Sequence, residues 1–310
     1  GPMIYGPVAI AFNPVTSADY QLRFTGLQKT GGLAEIRLSG APRLERFVEK
    51  QLGKVWQTPH PMWDAYLWPE QPGLTDPGMA VSSAGVLNLS SHMKADGTLN
   101  WDVPPGNWVI LRTGMTPTGV KNGPASPEAT GLEIDKMNQK WVDYHFDAFI
   151  GQLLKRMPAA DRSSFKHVVA DSYEVGPENW TDGMTRDFRK RYGYDPLRWL
   201  PVLTGRIVDS PDASDRFLWD LRRMVADRIS YDYVGGLRKA SAKHGLRMWL
   251  ENYGHWGFAG EFLQYGGQSD DVSGEFWTGG DLGDIELRDA SSCAHIYGKT
   301  IATAESWTSG

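Results

Sequence analysis

Asp171 and Glu174 stand three positions apart in HVVADSYEVG, where the apolar run Val168-Val169-Ala170 gives way to Gly176 and Pro177. A regular strand sends residues three apart to opposite faces, so the two carboxyls can share one pocket only where the chain leaves strand geometry. Gly176 and Pro177 supply that departure. The plainer alternative is that Asp171 caps the loop or pairs with Arg186 or Arg189. Three further acids follow the same design, each ending an apolar run: Glu251 in WLENYGHWG, Glu275 in SGEFW and Glu305 in AESW. Beyond Glu251 come Asn252, Tyr253, His255 and Trp256, and beyond Glu275 comes Trp277. One acid among hydrogen-bonding and aromatic side chains suits a polar, ring-shaped ligand. Cleavage of a glycosidic bond accounts for the pattern economically. It needs one carboxyl to protonate the departing oxygen and a second to attack the sugar or activate water. Surplus acids are explained by a hard-oxygen site for Ca²⁺ that orients sugar hydroxyls.

Positioning these acids at strand tips requires alternating strands and helices. NQKWVDYHFDAFIGQLLKRM (138–157) has helical periodicity, with Asn138 as cap and Pro158 as stop. Residues 214–244 form one long helix or two shorter ones ended by Gly245. Strands are expected over 246–254, 272–277 and 300–307, with a helix over 284–298 between the last two. Strand-then-helix repetition means a parallel sheet or a β/α barrel. Acids at the C-terminal ends of several strands favour the barrel, and no Gly-rich phosphate loop argues for a doubly wound nucleotide binder. Counting VILRTG (109–114), about five strands are expected, short of the eight that close a barrel.

The N-terminal third reads differently. YQLRF (20–24), AEIRL (34–38), GVLNLS (85–90), TLNWDV (98–103) and NWVILR (107–112) alternate in the manner of half-buried antiparallel strands. RLERFVEKQLGK (43–54) has helical spacing. The expected organisation is therefore a β-sandwich-like module over 3–114 and a β/α barrel region over 115–310. KADGT (94–98) reads as a hairpin turn.

Composition narrows the function classes. A net charge of −5 without basic runs excludes the clustered positive face of nucleic-acid binders. Cys293 is the single cysteine, so neither an internal disulfide nor a cysteine-rich metal site is available. No HExxH or GxSxG is present, which removes the zinc-protease and hydrolase-elbow mechanisms. No apolar run is long enough to span a membrane. Gly1-Pro2 before Met3 has the form of a cleavage scar, with the natural N-terminus expected to be missing.

KQLGKVWQTPHPMWDAYLWPEQP, GVLNLSSHMKADGTLNWDVPPGNWVILRTGMTPTG, PASPEATGLEIDKMN, VVADSYEVGPENWTDG, LENYGHWGFAGEFLQYGGQSDDVSGEFW and AESWTSG together resemble the α-L-rhamnosidases of glycoside hydrolase family 106. The resemblance runs over nearly the whole chain. It implies a (β/α)8 catalytic barrel, incomplete here because family members are far longer, with β-sandwich additions. It also implies inverting hydrolysis of terminal α-L-rhamnosides from plant glycans or flavonoid glycosides, a bound calcium ion, and a periplasmic or secreted bacterial location. By the same resemblance, Glu174 in DSYE matches the proposed general acid and Glu305 in AES the proposed general base. Asp171 matches an acid near the former, and Glu275 in GEFW a further carboxylate assigned to the metal. Trp307 stands where the family pattern has Phe. The alternatives are a non-catalytic rhamnose-binding fragment and a retaining glycosidase for another sugar. No oligomeric state is implied.

Overall fold

The structure is a computed structural model, and it describes residues 7–25, 34–53, 69–176, 178–252, 259–277 and 285–307. Its centre is a parallel sheet of β1 (His167–Ala170), β2 (Arg247–Glu251), β3 (Asp271–Trp277) and β4 (Ala302–Trp307), hydrogen-bonded in the order β1-β2-β3-β4. Consecutive order without reversal matches the wall of a singly wound barrel, whereas a doubly wound sheet reverses at a switch point. Four strands are present in the sheet among the described residues, and 109–114 contributes none.

The helices are α1 (Phe47–Lys50), α2 (Gln139–Ala148), α3 (Ile150–Arg156), α4 (Met184–Tyr192), α5 (Pro211–Arg228), α6 (Gly235–Ala242), α7 (Phe262–Gly267) and α8 (Ile285–Ile296). Local chemistry sets their ends. The Asn138 side chain accepts from Lys140 N at the start of α2, and Ser210 Oγ accepts from Ala213 N where Pro211 opens α5. A break at Phe149 divides the expected 138–157 helix into α2 and α3, beside β-branched Ile150 and Gly151, two weak helix formers. The 214–244 segment runs as α5, a π-helical turn (Ile229–Val234) and α6. Gly245 follows with φ 71°, a conformation that ends the run at little cost for glycine. The helix expected over 43–54 contracts to the single turn of α1, because Arg46 (φ 51°) and Leu52 (φ 59°) are left-handed on either side of it.

Side chains alternate across the sheet, and this separates core from site. Val168, Ala170, Met248, Leu250 and Val272 point to the helices and are buried. α5 brings Phe217, Leu218, Leu221, Met224 and Val225 to the same core, spaced by three or four residues. Gly274 lies on this helical side, where a Cβ would come 2.6 Å from the Glu286 carbonyl oxygen of α8. The opposite face carries Val169, Trp249, Glu251, Asp271, Ser273, Glu275, Thr303 and Glu305, as the register requires. Val169 is 67 % exposed there, whereas Glu251, Ser273 and Glu275 on the same face are buried.

Among the described residues of 3–114 no sandwich-like sheet forms. Among the described residues before His167, the expected strands form no sheet, and the pairing there is limited to single bridges between Val81 and Val208, Met93 and Leu99, and Lys121 and Leu132. Leu22, Phe24, Ile36, Leu38, Val103 and Val109 are exposed. Alternation records a face that wants a cover, but a strand exists only where a neighbour accepts its backbone hydrogen bonds. KADGT does turn as expected: Lys94 N donates to Thr98 O, and Gly97 has φ 85°.

Candidate active site

The acids meet at the C-terminal end of the sheet. Continuing the β1–β2 register by one residue sets Asp171 beside Glu251, and Glu275 pairs with Glu305 one layer further along. Oxygens of Asp171, Glu251 and Glu305, from three strands, lie within 4.8 Å of one another. Glu251 is 2 % exposed, and its Oε1 is buried without a hydrogen-bond partner. Burial, with Asp171 and Glu305 beside it, pushes the Glu251 carboxyl well above the usual carboxylate range. Such a cluster is stable either protonated or around a cation. At the N-terminal ends of the strands the charges are paired instead, Arg247 Nη2 with Asp271 Oδ1 at 2.6 Å.

Ser172 connects the cluster to Glu174. Its backbone N–H donates to Asp171 Oδ1 (2.9 Å) and Glu251 Oε2 (3.1 Å), and its hydroxyl donates to Glu174 Oε2 (3.0 Å). Glu174 is exposed on the loop after β1. Asp171 does not take the ion pairs that would have made it merely structural, since Arg186 pairs with Asp187 and Arg189 with Asp195.

The remaining sequence candidates are distributed differently. Glu275 is buried on the acid face but is not one of the three converging carboxylates. Asn252 follows Glu251 and so turns to the helical side, where its Nδ2 donates to Phe262 O at 3.1 Å. Trp277 ends β3 opposite Trp307 in the register. Tyr253, His255 and Trp256 lie outside the described residues.

Two features escaped sequence reasoning. Ser172 carries no motif and is found only by its position between the acids. The second is a polar group beside the β1 loop, made of buried Lys136 and half-buried Glu133, Asp135 and Glu178. Lys136 Nζ pairs with Glu133, Lys136 N donates to Glu178 Oε2 at 3.1 Å, and Thr181 Oγ1 donates to Asp135 Oδ2. Burial pushes the Glu178 carboxyl up to about 7, against the pull of Lys136. Glu133, Asp135 and Glu178, with Trp141 and Trp180, also line a cavity of about 570 Å³. A charged residue type inside an otherwise apolar stretch, as in GLEIDKM, was the available signal.

Known proteins bear on this arrangement. The family model described as alpha-L-rhamnosidase, that of glycoside hydrolase family 106, matches residues 3–310. The solved rhamnosidase from Novosphingobium sp. PP1Y superposes with a TM-score of 0.69 at 27 % identity, over 87 % of this chain and 26 % of that one. A Formosa agariphila protein named "Putative beta-glucuronidase" is 40 % identical over 223 residues, 72 % of this chain and 19 % of the relative. The chain thus spans about a quarter or less of the length of either relative. A match running through the strands and the β1 loop that carry Asp171, Glu174, Glu251, Glu275 and Glu305 assigns the chain to glycoside hydrolase family 106, the alpha-L-rhamnosidase family.

Proposed function

We propose that the protein hydrolyses terminal α-L-rhamnosides of plant glycans or glycosides with inversion, Glu174 serving as general acid and Glu305 as general base. The observation that carries this reading is the convergence of Asp171, Glu251 and Glu305 at the strand tips, with Glu174 tied to them through Ser172. In the step, Glu305 takes a proton from water as the water oxygen bonds to the anomeric carbon. The glycosidic C–O bond breaks, and Glu174 gives its proton to the departing oxygen. Asp171 and Glu251 hold Ser172 N–H between them and so set where the Glu174 loop leaves the sheet.

The donor set fits a hard cation: three carboxylate oxygens within 4.8 Å and a buried Glu251 Oε1 with no donor. Asp171, Glu251 and Glu305 would hold calcium, with Glu275 behind Glu305. When bound, calcium supplies a positive charge that neutralises these acids and orients sugar hydroxyls. The reading includes a periplasmic or secreted setting, where millimolar calcium and plant glycans are met; no helix among the described residues is long and apolar enough to cross a membrane.

The relative named for a glucuronidase favours a second reading, cleavage of a uronate glycoside. A uronate would bring a fourth carboxylate toward three acids, which like-charge repulsion opposes unless a cation bridges them. Release of sugar from aryl α-L-rhamnoside and aryl β-glucuronide, with the first-formed anomer read by NMR, decides among these. Rhamnose released with inverted configuration is expected. Retention, glucuronide cleavage, or rhamnose binding without turnover would each overturn the proposal.

A further inference from the structure

The Glu133/Asp135/Lys136/Glu178 group, with Lys136 buried at its centre, grips the loop that carries Glu174. Between Ala170 and Thr181, the chain is fixed at four points around Glu174. Tyr173, next to it, is buried, and its hydroxyl donates to Gly176 O at 3.1 Å, which closes a short ring around Glu174. The Lys136 ammonium lies 6.0 Å from the Tyr173 ring centroid and 5.5 Å from that of Tyr233, and the two rings meet edge to face at 6.4 Å. Further on, Glu178 accepts from Lys136 N and Thr181 donates to Asp135. Asp135 Oδ1 in turn accepts from Met137 N at 2.9 Å, which orients the 135–137 turn. One short segment, 133–137, thereby holds the loop on both sides of Glu174.

Cations resting on aromatic faces are attracted by the ring quadrupole, and the attraction strengthens when water is excluded. Lys136 is 5 % exposed, so both conditions are met. An exposed carboxyl on an otherwise free loop would sample many positions, and proton donation is sensitive to displacements of about 1 Å.

Resting on the reading of Glu174 as general acid, we infer that Lys136, with Glu178, is a positioning residue for proton donation to the leaving group. It acts through Tyr173 and the loop backbone and does not touch substrate. The test exploits leaving-group chemistry. A 2,4-dinitrophenolate leaves without protonation, whereas a methoxide needs the acid. Lys136→Met should slow hydrolysis of methyl α-L-rhamnoside roughly tenfold or more, within the ~10²–10⁴-fold that general acids supply, and leave 2,4-dinitrophenyl rhamnoside within about twofold. The loss should fall on kcat rather than KM. Glu178→Gln, which keeps an acceptor for Lys136 N, should behave as wild type on both substrates. Glu178→Ala should repeat the Lys136→Met pattern, and it carries the test alone if Lys136→Met does not fold. Equal losses on both substrates, or none on either, would overturn the inference. Glu174→Gln serves as reference: if it shows no leaving-group dependence while wild type is active, the assignment of the acid fails, and the inference with it.

Discussion

Replacing Glu178 with Gln should flatten the pH dependence of stability in the mildly acidic range. Glu178 is set among Lys136, Asp135 and Glu133, and burial is the largest influence on it, moving its carboxyl from 4.5 to about 7. A carboxyl whose pKa rises on folding binds its proton more tightly in the folded chain. Its stabilising contribution is therefore complete below about pH 4.5, the unfolded value, and is lost as pH rises through about 7. At about 1.4 kcal/mol per pKa unit, the loss across this window is on the order of 3 kcal/mol. For a chain of this size each kcal/mol moves Tm by about 2 °C, so the wild type should lose roughly 5 °C more than Glu178→Gln between pH 5 and 7.5. Gln copies the protonated acid and keeps an acceptor for Lys136 N, so the two proteins should melt together near pH 4.5. Thermal melts of both at half-unit steps measure the divergence. Parallel curves would mean that Glu178 is already ionised in the folded chain, and the argument from burial would fail.

Three other outcomes are expected. Calcium should raise Tm, by an amount equivalent to about 2.7 kcal/mol at a hundred times its Kd, and Glu251→Gln should weaken calcium binding about tenfold or more by calorimetry; a Tm indifferent to calcium and to chelator would remove the metal reading. Glu305→Ala should lower kcat for an aryl rhamnoside by about 10²–10⁴-fold with the fold intact by circular dichroism. Full activity in that variant would leave the base unassigned. Gly274→Val should cost about 1–3 kcal/mol in urea unfolding, because the new side chain meets the Glu286 carbonyl oxygen where β3 lies on α8. An unchanged midpoint would show that α8 can shift away.

Much of the C-terminal half was legible from residue order. β2, β3, β4 and α8 fall where apolar runs and helical spacing indicated, because each packs on immediate sequence neighbours in strand–helix–strand units. Asn138 and Ser210 cap helices by bonds two and three residues long, which local sequence encodes directly. The N-terminal third differs. Its alternation is genuine, but among the described residues it forms no sheet, and Ile36 and Val109 are exposed.

The residue types at the strand tips already pointed to a cluster of acids beside aromatic side chains, since both recur where apolar runs end. Which acids act together was a tertiary matter. Strand register and the alternation of faces bring Asp171, Glu251 and Glu305 within 4.8 Å and send Asn252 to the helical side. Likewise Lys136 lies more than thirty residues before Tyr173 in the chain and meets it only because the loop after β1 folds back over the segment before α2. Contacts between residues so far apart depend on how whole elements pack, and no spacing within the sequence encodes that distance.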